Sequence, residues 1–372
     1  GNLKDGSELA NKMPSLMKLK NAVYSSEYRA FVEKITGLKE GTLTDEVDCA
    51  ANCHAKGCHL LCHDDVIGTR KVSYIIYLTD AEPTWEDKDG GRLELYEAIA
   101  EETNNGKKSA RCVPGALPVK TILPEFNSMA YFVVEPGVSF HSVQEVFCDR
   151  PRLSIQGWYH AKETPSQIEN ATLQRLKSLD KGEDTEGAFQ PMSVNTTKDT
   201  TEESKDNTLS QSDRDFLGKY INAAYLSVES LNEMQQRFEE ESSVKLRHFL
   251  VDKWNSKIKD ASSKEDERDL LGNDRPTLDY QVGSNDDWKV VGPAHKQRFL
   301  QNTSDGATKS CDESGLSAAD YLYHLRKTLF ESEAFGRWVG WVSSLGFPLG
   351  QRGRIRRFRP GLDYTVAHYG VL

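Results

Sequence analysis

Apolar positions recur at helix-compatible spacing over residues 7–36, where Met17, Val23, Phe31 and Ile35 form a stripe and Gly37 supplies a stop. From 58 to 160 the pattern shortens to β-rich runs at 59–64, 71–78, 92–96, 128–134, 139–146 and 153–159. Turn signals separate them, notably Asp-Gly-Gly at 89–91 and Glu-Pro-Gly at 135–137. Short strands joined by turns predict a sandwich or double-sheet jelly roll. Residues 163–212 are rich in Thr, Ser, Glu, Asp and Lys and sparse in apolar positions, so they predict a polar linker, the least ordered stretch of the chain.

Helical spacing returns at 213–264. Phe216, Tyr220, Ala223, Ala224, Leu226 and Leu231 fit one face there, and Val244, Leu246, Phe249, Leu250 and Trp254 another. A third helical region spans 316–344 and ends at Gly346-Phe-Pro-Leu-Gly350, and a strand-like run follows over 355–366. The expected organisation is a catalytic domain at 1–162, a linker at 163–212 and a C-terminal domain at 213–372, with the reactive site wholly inside 58–160.

The chain has 372 residues and a net charge of −10, which argues against bulk affinity for nucleic acid and leaves room for a local basic patch. No apolar run reaches the roughly 20 residues of a membrane span. Seven cysteines, five of them in the first third, suit free thiols in a reducing compartment better than a disulfide scaffold. The N-x-S/T matches at Asn170, Asn195 and Asn302 are short enough to arise by chance.

His63 and Asp65 form an H-x-D pair in Leu60-Leu-Cys-His63-Asp-Asp65, and His141 follows far downstream. Two histidines and one carboxylate hold a non-haem Fe(II) on one face and leave the other open. In a strand, residues two apart share a face, so His63 and Asp65 are expected to point inward together and Asp64 away. By the same rule Arg152 and Ser154 share a face. A buried arginine needs an anionic partner, and a small dicarboxylic acid supplies one through a bidentate pair, with Ser154 or Tyr77 adding a hydroxyl.

These segments resemble a known family. The hexapeptide at 60–65, the strand ending Tyr77-Leu78, Gly90-Gly91-x-Leu-x-Leu-Tyr96, Ser139-Phe-His141-x-Val-x-Glu-Val146 and Arg152-Leu-Ser-Ile-x-Gly-Trp-Tyr-His160 are similar to the 2-oxoglutarate- and iron-dependent oxygenases, and within them to the ribosomal prolyl hydroxylases. The similarity resumes at Tyr220-Ile-Asn-x-x-Tyr-Leu226, Phe238-Glu-Glu-x-Ser-Ser243 and Arg298-Phe. The resemblance implies a mainly β fold with flanking helices: a double-stranded β-helix, then a helix-rich second domain of related fold that lacks iron. It implies Fe(II) on His63, Asp65 and His141, with 2-oxoglutarate on Arg152, Ser154 and Tyr77. Dioxygen is the oxidant, with ascorbate in support. It also implies a substrate proline in the decoding-centre protein of the small ribosomal subunit, met in the cytoplasm or nucleus. Members of that family carry β-structure ahead of the first helix, and 358–369 resembles only the opening strands of a second barrel, so a trimmed chain with an incomplete second barrel is expected. The same chemistry on a histone or nucleic acid, or a scaffold for translation or transcription partners, are the rival readings.

Three further features carry expectations. Cys53-His54, Cys58-His59 and Cys62-His63 lack the distant second half of a structural zinc site, so they read as free thiols near the reactive centre. Arg352, Arg354, Arg356, Arg357 and Arg359 form a basic run, either a solvated strand face or a contact for ribosomal RNA or an acidic partner. Acidic residues at 82–102 are expected to rim the catalytic mouth, and His160 to be structural.

Overall fold

A computed structural model describes residues 8–102, 108–172, 189–192, 209–272, 279–303 and 315–366. The predicted N-terminal helix is three helices: α1 (Glu8–Lys12), α2 (Pro14–Tyr24) and α3 (Ser26–Thr36). Pro14 lies in the first turn of α2, and Ser25 caps α3 by accepting from the Tyr28 N–H. Gly37 ends α3 with a φ of 71°.

Nine strands follow: β1 (Leu43–Val47), β2 (Ala50–His54), β3 (Leu60–His63), β4 (Arg70–Tyr77), β5 (Leu93–Glu102), β6 (Lys108–Ile122), β7 (Ser128–Val133), β8 (His141–Val143) and β9 (Arg152–Ala161). They form two antiparallel sheets, one ordered β1-β9-β4-β7 with β2 also on β9, the other β3-β8-β5-β6. Alternation along β4 gives each face its task. Val72 and Tyr74 turn outward and pack with Val23 of α2 and Val32 of α3. Each fully buried aliphatic side chain there contributes roughly 2 kcal/mol. Ile75 and Tyr77 turn inward and meet Leu93 of β5, so the two sheets pack face to face. Glu33 is buried but satisfied: its carboxylate accepts from the Leu43 N–H at 2.7 Å and the Gly41 N–H at 3.0 Å.

Most of 163–212 lies outside the described residues, and with it most of the predicted linker. Its described part includes β10 (Gln190–Pro191), and α4 (Gln211–Leu217) begins before its end. α5 (Val228–Glu241), α6 (Asp252–Arg268), α7 (Ala318–His324) and α8 (Glu333–Ser343) follow, and they surround a core that includes Leu217, Leu231, Trp254, Leu329 and Trp338. Between α6 and α7 lie β11 (Trp288–Val291) and β12 (Gln297–Asn302). β13 (Gly350–Gln351) pairs with β10, while β14 (Arg356–Arg357) and β15 (Tyr364–Thr365) pair with β12. The chain is therefore mainly antiparallel β with helices. The expected strand over 355–366 is two short pieces, because Pro360 and Gly361 turn the chain between them. Among the described residues no helix is long and apolar enough to cross a membrane.

The second half is joined to the β3-β8-β5-β6 sheet through Glu94 of β5. Its carboxylate accepts from Tyr280 Oη at 2.6 Å and from Ser142 Oγ at 2.6 Å. Arg298 of β12 is buried beside it, 3.7 Å from the centre of the Tyr280 ring.

Candidate metal and co-substrate site

His63 ends β3, His141 opens β8, and the two are register partners across the antiparallel pair. Their rings consequently sit 4.3 Å apart. Nδ1 of His63 donates to the Leu61 carbonyl at 2.7 Å, and Nδ1 of His141 to the Ser139 carbonyl at 2.9 Å. A carbonyl can only accept, so each Nε2 is left to face the site. Asp65 lies between them, 3.2 Å from His63 Nε2 and 3.4 Å from His141 Nε2. These three are the group among the described residues whose ligand atoms could hold a metal ion, all within 4.8 Å of one another.

Asp65 reaches the site by a different route from the strand alternation expected for it. β3 stops at His63, and Asp65 adopts a left-handed backbone with a φ of 61°. Asp64 is buried, accepting from the N–H groups of Gly137 at 3.3 Å and Thr172 at 3.0 Å. Those bonds hold the turn that swings Asp65 inward. Burial raises the Asp65 pKa, but hydrogen bonds from His141 and His63 outweigh it and keep the carboxylate ionised. Burial lowers the His63 pKa, and the bond to Asp65 outweighs that and raises it. Ser73 Oγ and Trp158 Nε1 also donate to Asp65 Oδ2, at 3.1 and 3.0 Å.

Ser73, Ile75 and Tyr77 are successive inward positions of β4, so that strand forms a floor running from the triad to Arg152. Arg152 opens β9 and is 1% exposed. Its Nε donates to the Gly91 carbonyl at 2.7 Å. A Cβ on Gly91, where φ is +69°, would fall 2.7 Å from Arg152 Cδ, so glycine here makes space for the arginine. Tyr77 and Ser154 are register partners beside it. Arg152 Nη2, Tyr77 Oη and Ser154 Oγ are all buried without a hydrogen-bond partner. Among the described residues no carboxylate lies within ion-pair distance of Arg152. Burial lowers the arginine pKa and raises that of Tyr77. A guanidinium nitrogen and two hydroxyls left unsatisfied in one place fit a carboxylate.

The sequence-predicted residues thus form two adjoining groups, His63 with Asp65 and His141, and Arg152 with Tyr77 and Ser154. Ser73 and Trp158 were not expected to touch Asp65, although Ser73 shares the Tyr77 face. A cavity of about 460 Å³ adjoins the triad, lined by residues 59–67 and by Thr172, His295 and Val366. No residue of 82–102 lines it. Asp87 and Asp89 pair instead with Arg92 and Arg150, at 2.8 Å each. Six described cysteines are free thiols, and only Cys62 among them is buried. His160 bonds Thr69 and Asp48, away from the triad. The basic run is not a solvated strand face. Arg357 is ion-paired with Asp266 and Asp269, and Arg359 is fully buried against Asp363, leaving Arg354 exposed.

Two inward histidines and a carboxylate that could hold a metal ion thus lie between antiparallel sheets beside a buried arginine whose unpartnered surroundings fit a carboxylate. Residues 49–160 match the model of the 2OG-Fe(II) oxygenase superfamily. A second model, oxoglutarate and iron-dependent oxygenase degradation C-term, matches residues 212–371. The chain is 40% identical to prolyl 3,4-dihydroxylase OGFOD1 of Ostreococcus tauri, over 96% of this chain and 65% of that protein. It is 32% identical to prolyl 3-hydroxylase OGFOD1 of Xenopus laevis, over 66% of this chain and 39% of that protein. The chain therefore spans under two thirds of the length of these relatives. A Pseudomonas putida prolyl-4-hydroxylase structure matches 44% of this chain and 72% of its own, at 19% identity and a TM-score of 0.28. The match over 49–160 implies Fe(II), 2-oxoglutarate and dioxygen, and the donor set and the orphaned polar atoms around Arg152 fit the first two.

Proposed function

We propose that this chain is an Fe(II)- and 2-oxoglutarate-dependent prolyl hydroxylase acting on a small-subunit ribosomal protein of the decoding centre, in the cytoplasm or nucleus. The observation that carries the reading is the His63–Asp65–His141 cluster beside a buried arginine without an acidic partner. The two relatives whose names specify prolyl hydroxylation support the choice of substrate residue. We read the two facing sheets as a double-stranded β-helix, with 1–162 as the catalytic unit and 213–372 as a second, related one.

His63, Asp65 and His141 would hold the iron through Nε2 and carboxylate oxygens. Ser73 and Trp158 orient Asp65, and the Leu61 and Ser139 carbonyls fix the imidazole tautomers. Arg152, Tyr77 and Ser154 would take the distal carboxylate of 2-oxoglutarate. When bound, iron with 2-oxoglutarate and dioxygen supplies oxidative decarboxylation coupled to C–H hydroxylation. The apolar wall of Leu60, Val66 and Ile67 receives the prolyl ring and excludes water. Arg354 remains available to ribosomal RNA or an acidic partner. Incubating the protein with Fe(II), 2-oxoglutarate and peptides from small-subunit ribosomal proteins should add 16 Da (about one oxygen atom) to a prolyl residue by mass spectrometry. Succinate formation with no modified proline in any of them would refute the assignment.

A further inference from the structure

We infer that His295, supplied by the second half of the chain, is a specificity-determining residue of the catalytic mouth and donates a hydrogen bond to a carbonyl of the prolyl peptide. The inference rests on the proposed function and adds the group that reads the peptide backbone. His295 lines the same cavity as His63 and Asp65, although 230 positions separate it from Asp65 in the sequence. The position therefore falls outside the 58–160 segment to which the sequence assigns the site.

The loop that carries it is anchored on both sides. Ala294 is fully buried in a cluster with Cys62, Tyr96 and Phe140, and the His295 ring stacks on Phe140 with an interplanar angle of 19°. A Cβ on Gly292 would fall 2.9 Å from Ala116 Cα, so the loop backbone lies directly against β6. Gln297 Nε2 donates to the Gly292 carbonyl at 2.9 Å, and the Val366 N–H to the Lys296 carbonyl at 2.8 Å. Tyr364 Oη donates to the Ala294 carbonyl. Together with the Tyr280–Glu94 bond, these contacts fix the imidazole at the mouth.

The chemistry of proline supplies the rest. A prolyl residue has no backbone N–H, so at the reacting residue the peptide presents carbonyl acceptors alone. Leu60, Leu61, Val66, Ile67 and Val366 would remove those carbonyls from water. A buried carbonyl without a donor is costly. Among the buried lining side chains outside the triad, His295 and Thr172 carry an N–H or O–H donor. His295 comes from a loop packed on both halves, so it also joins peptide recognition to their assembly.

The test uses the full chain with Fe(II), 2-oxoglutarate and a hydroxylatable prolyl peptide. Peptide hydroxylation and peptide-free succinate formation are measured separately. His295→Leu should raise the peptide KM on the order of 10-fold, the effect of leaving one buried carbonyl unpaired. Metal content and peptide-free turnover should stay at wild-type values. His295→Phe, which keeps the ring stack on Phe140, should behave as His295→Leu does, and His295→Gln, which keeps a donor, should recover most of the KM. A wild-type peptide KM in His295→Leu and His295→Phe overturns the inference. So does a parallel loss of metal and peptide-free turnover in both, which would make His295 structural. If the wild-type protein forms succinate and hydroxylates no prolyl peptide, the proposed function itself falls and this inference with it.

Discussion

Removing the Arg152 guanidinium should abolish tight 2-oxoglutarate binding without touching the metal. Arg152 is 1% exposed and has no acidic partner among the described residues, while Tyr77 Oη and Ser154 Oγ lie buried and unbonded beside it. A carboxylate entering this pocket is desolvated, so its binding depends on the guanidinium. Breaking a buried charge pair by deleting one member costs about 3–5 kcal/mol, which corresponds to a loss of roughly 10² to 10³·⁵ in affinity. Arg152→Ala should reach that range. Arg152→Lys keeps the charge but not the planar fork, and should fall between it and the wild type. Ser154→Ala removes a single neutral hydrogen bond, about 1 kcal/mol or some fivefold. Titration calorimetry of 2-oxoglutarate into anaerobic Fe(II)-loaded protein gives the three values, and Fe(II) titrated alone into each variant is the control. If Arg152→Ala binds 2-oxoglutarate within threefold of the wild type, about 0.7 kcal/mol, the co-substrate does not use this pocket.

Other outcomes follow from neighbouring contacts. Trp158→Phe and Ser73→Ala each remove one donor to Asp65 Oδ2 and should lower Fe(II) affinity about 10–100-fold, read by metal titration. Gly91→Ala places a Cβ 2.7 Å from Arg152 Cδ at a φ of +69°, so urea denaturation should show a loss of about 1–3 kcal/mol, with weakened 2-oxoglutarate binding. Burial raises the Asp213 pKa, but the Arg337 bonds of 2.6 and 3.0 Å outweigh it and hold the pKa below its usual value. A depressed folded-state pKa contributes stability that is complete above the unfolded value, about 3.9, and is lost as pH falls through the folded one. Arg337→Met should therefore reduce the wild-type stability advantage at neutral pH, and the two melting curves should converge below about pH 4.

The catalytic strands were legible where alternation and turn chemistry agreed. The runs at 71–78 and 128–134 lie within a residue of β4 and β7, because both put β-branched and aromatic side chains on a half-buried pleat. β6 was not legible. It carries Pro114, Gly115 and Pro118, which read as breakers, yet it is an edge strand whose pairing with β5 is interrupted by bulges, where proline is tolerated. β1 and β2 were hidden by polar, weakly β-forming sequences, and β3 edges its sheet in only four residues. At the site, residue chemistry pointed to the triad and Arg152. The left-handed turn at Asp65 and the arrival of His295 depend on contacts distant in sequence, which local pattern does not carry. The basic run misled for a related reason, since the partners of Arg357 sit on α6 and at its C-terminal cap, some ninety positions earlier.

With the proposed metal bound, the register pairing of His63 with His141 would make metal content a component of mechanical integrity. β3 lies at the edge of its sheet and is held by β8, a strand of three residues, through a pairing whose register is already irregular. An ion gripped by one histidine from each strand would act as a rivet at the end of that short ladder. Any binding free energy specific to the folded state adds to its stability as RT ln(1 + [M]/Kd), about 2.7 kcal/mol at a hundredfold excess over Kd. Iron starvation would then do more than idle the chemistry: it would release the edge of the sheet first, and an enzyme short of its metal would become an enzyme short of its lifetime.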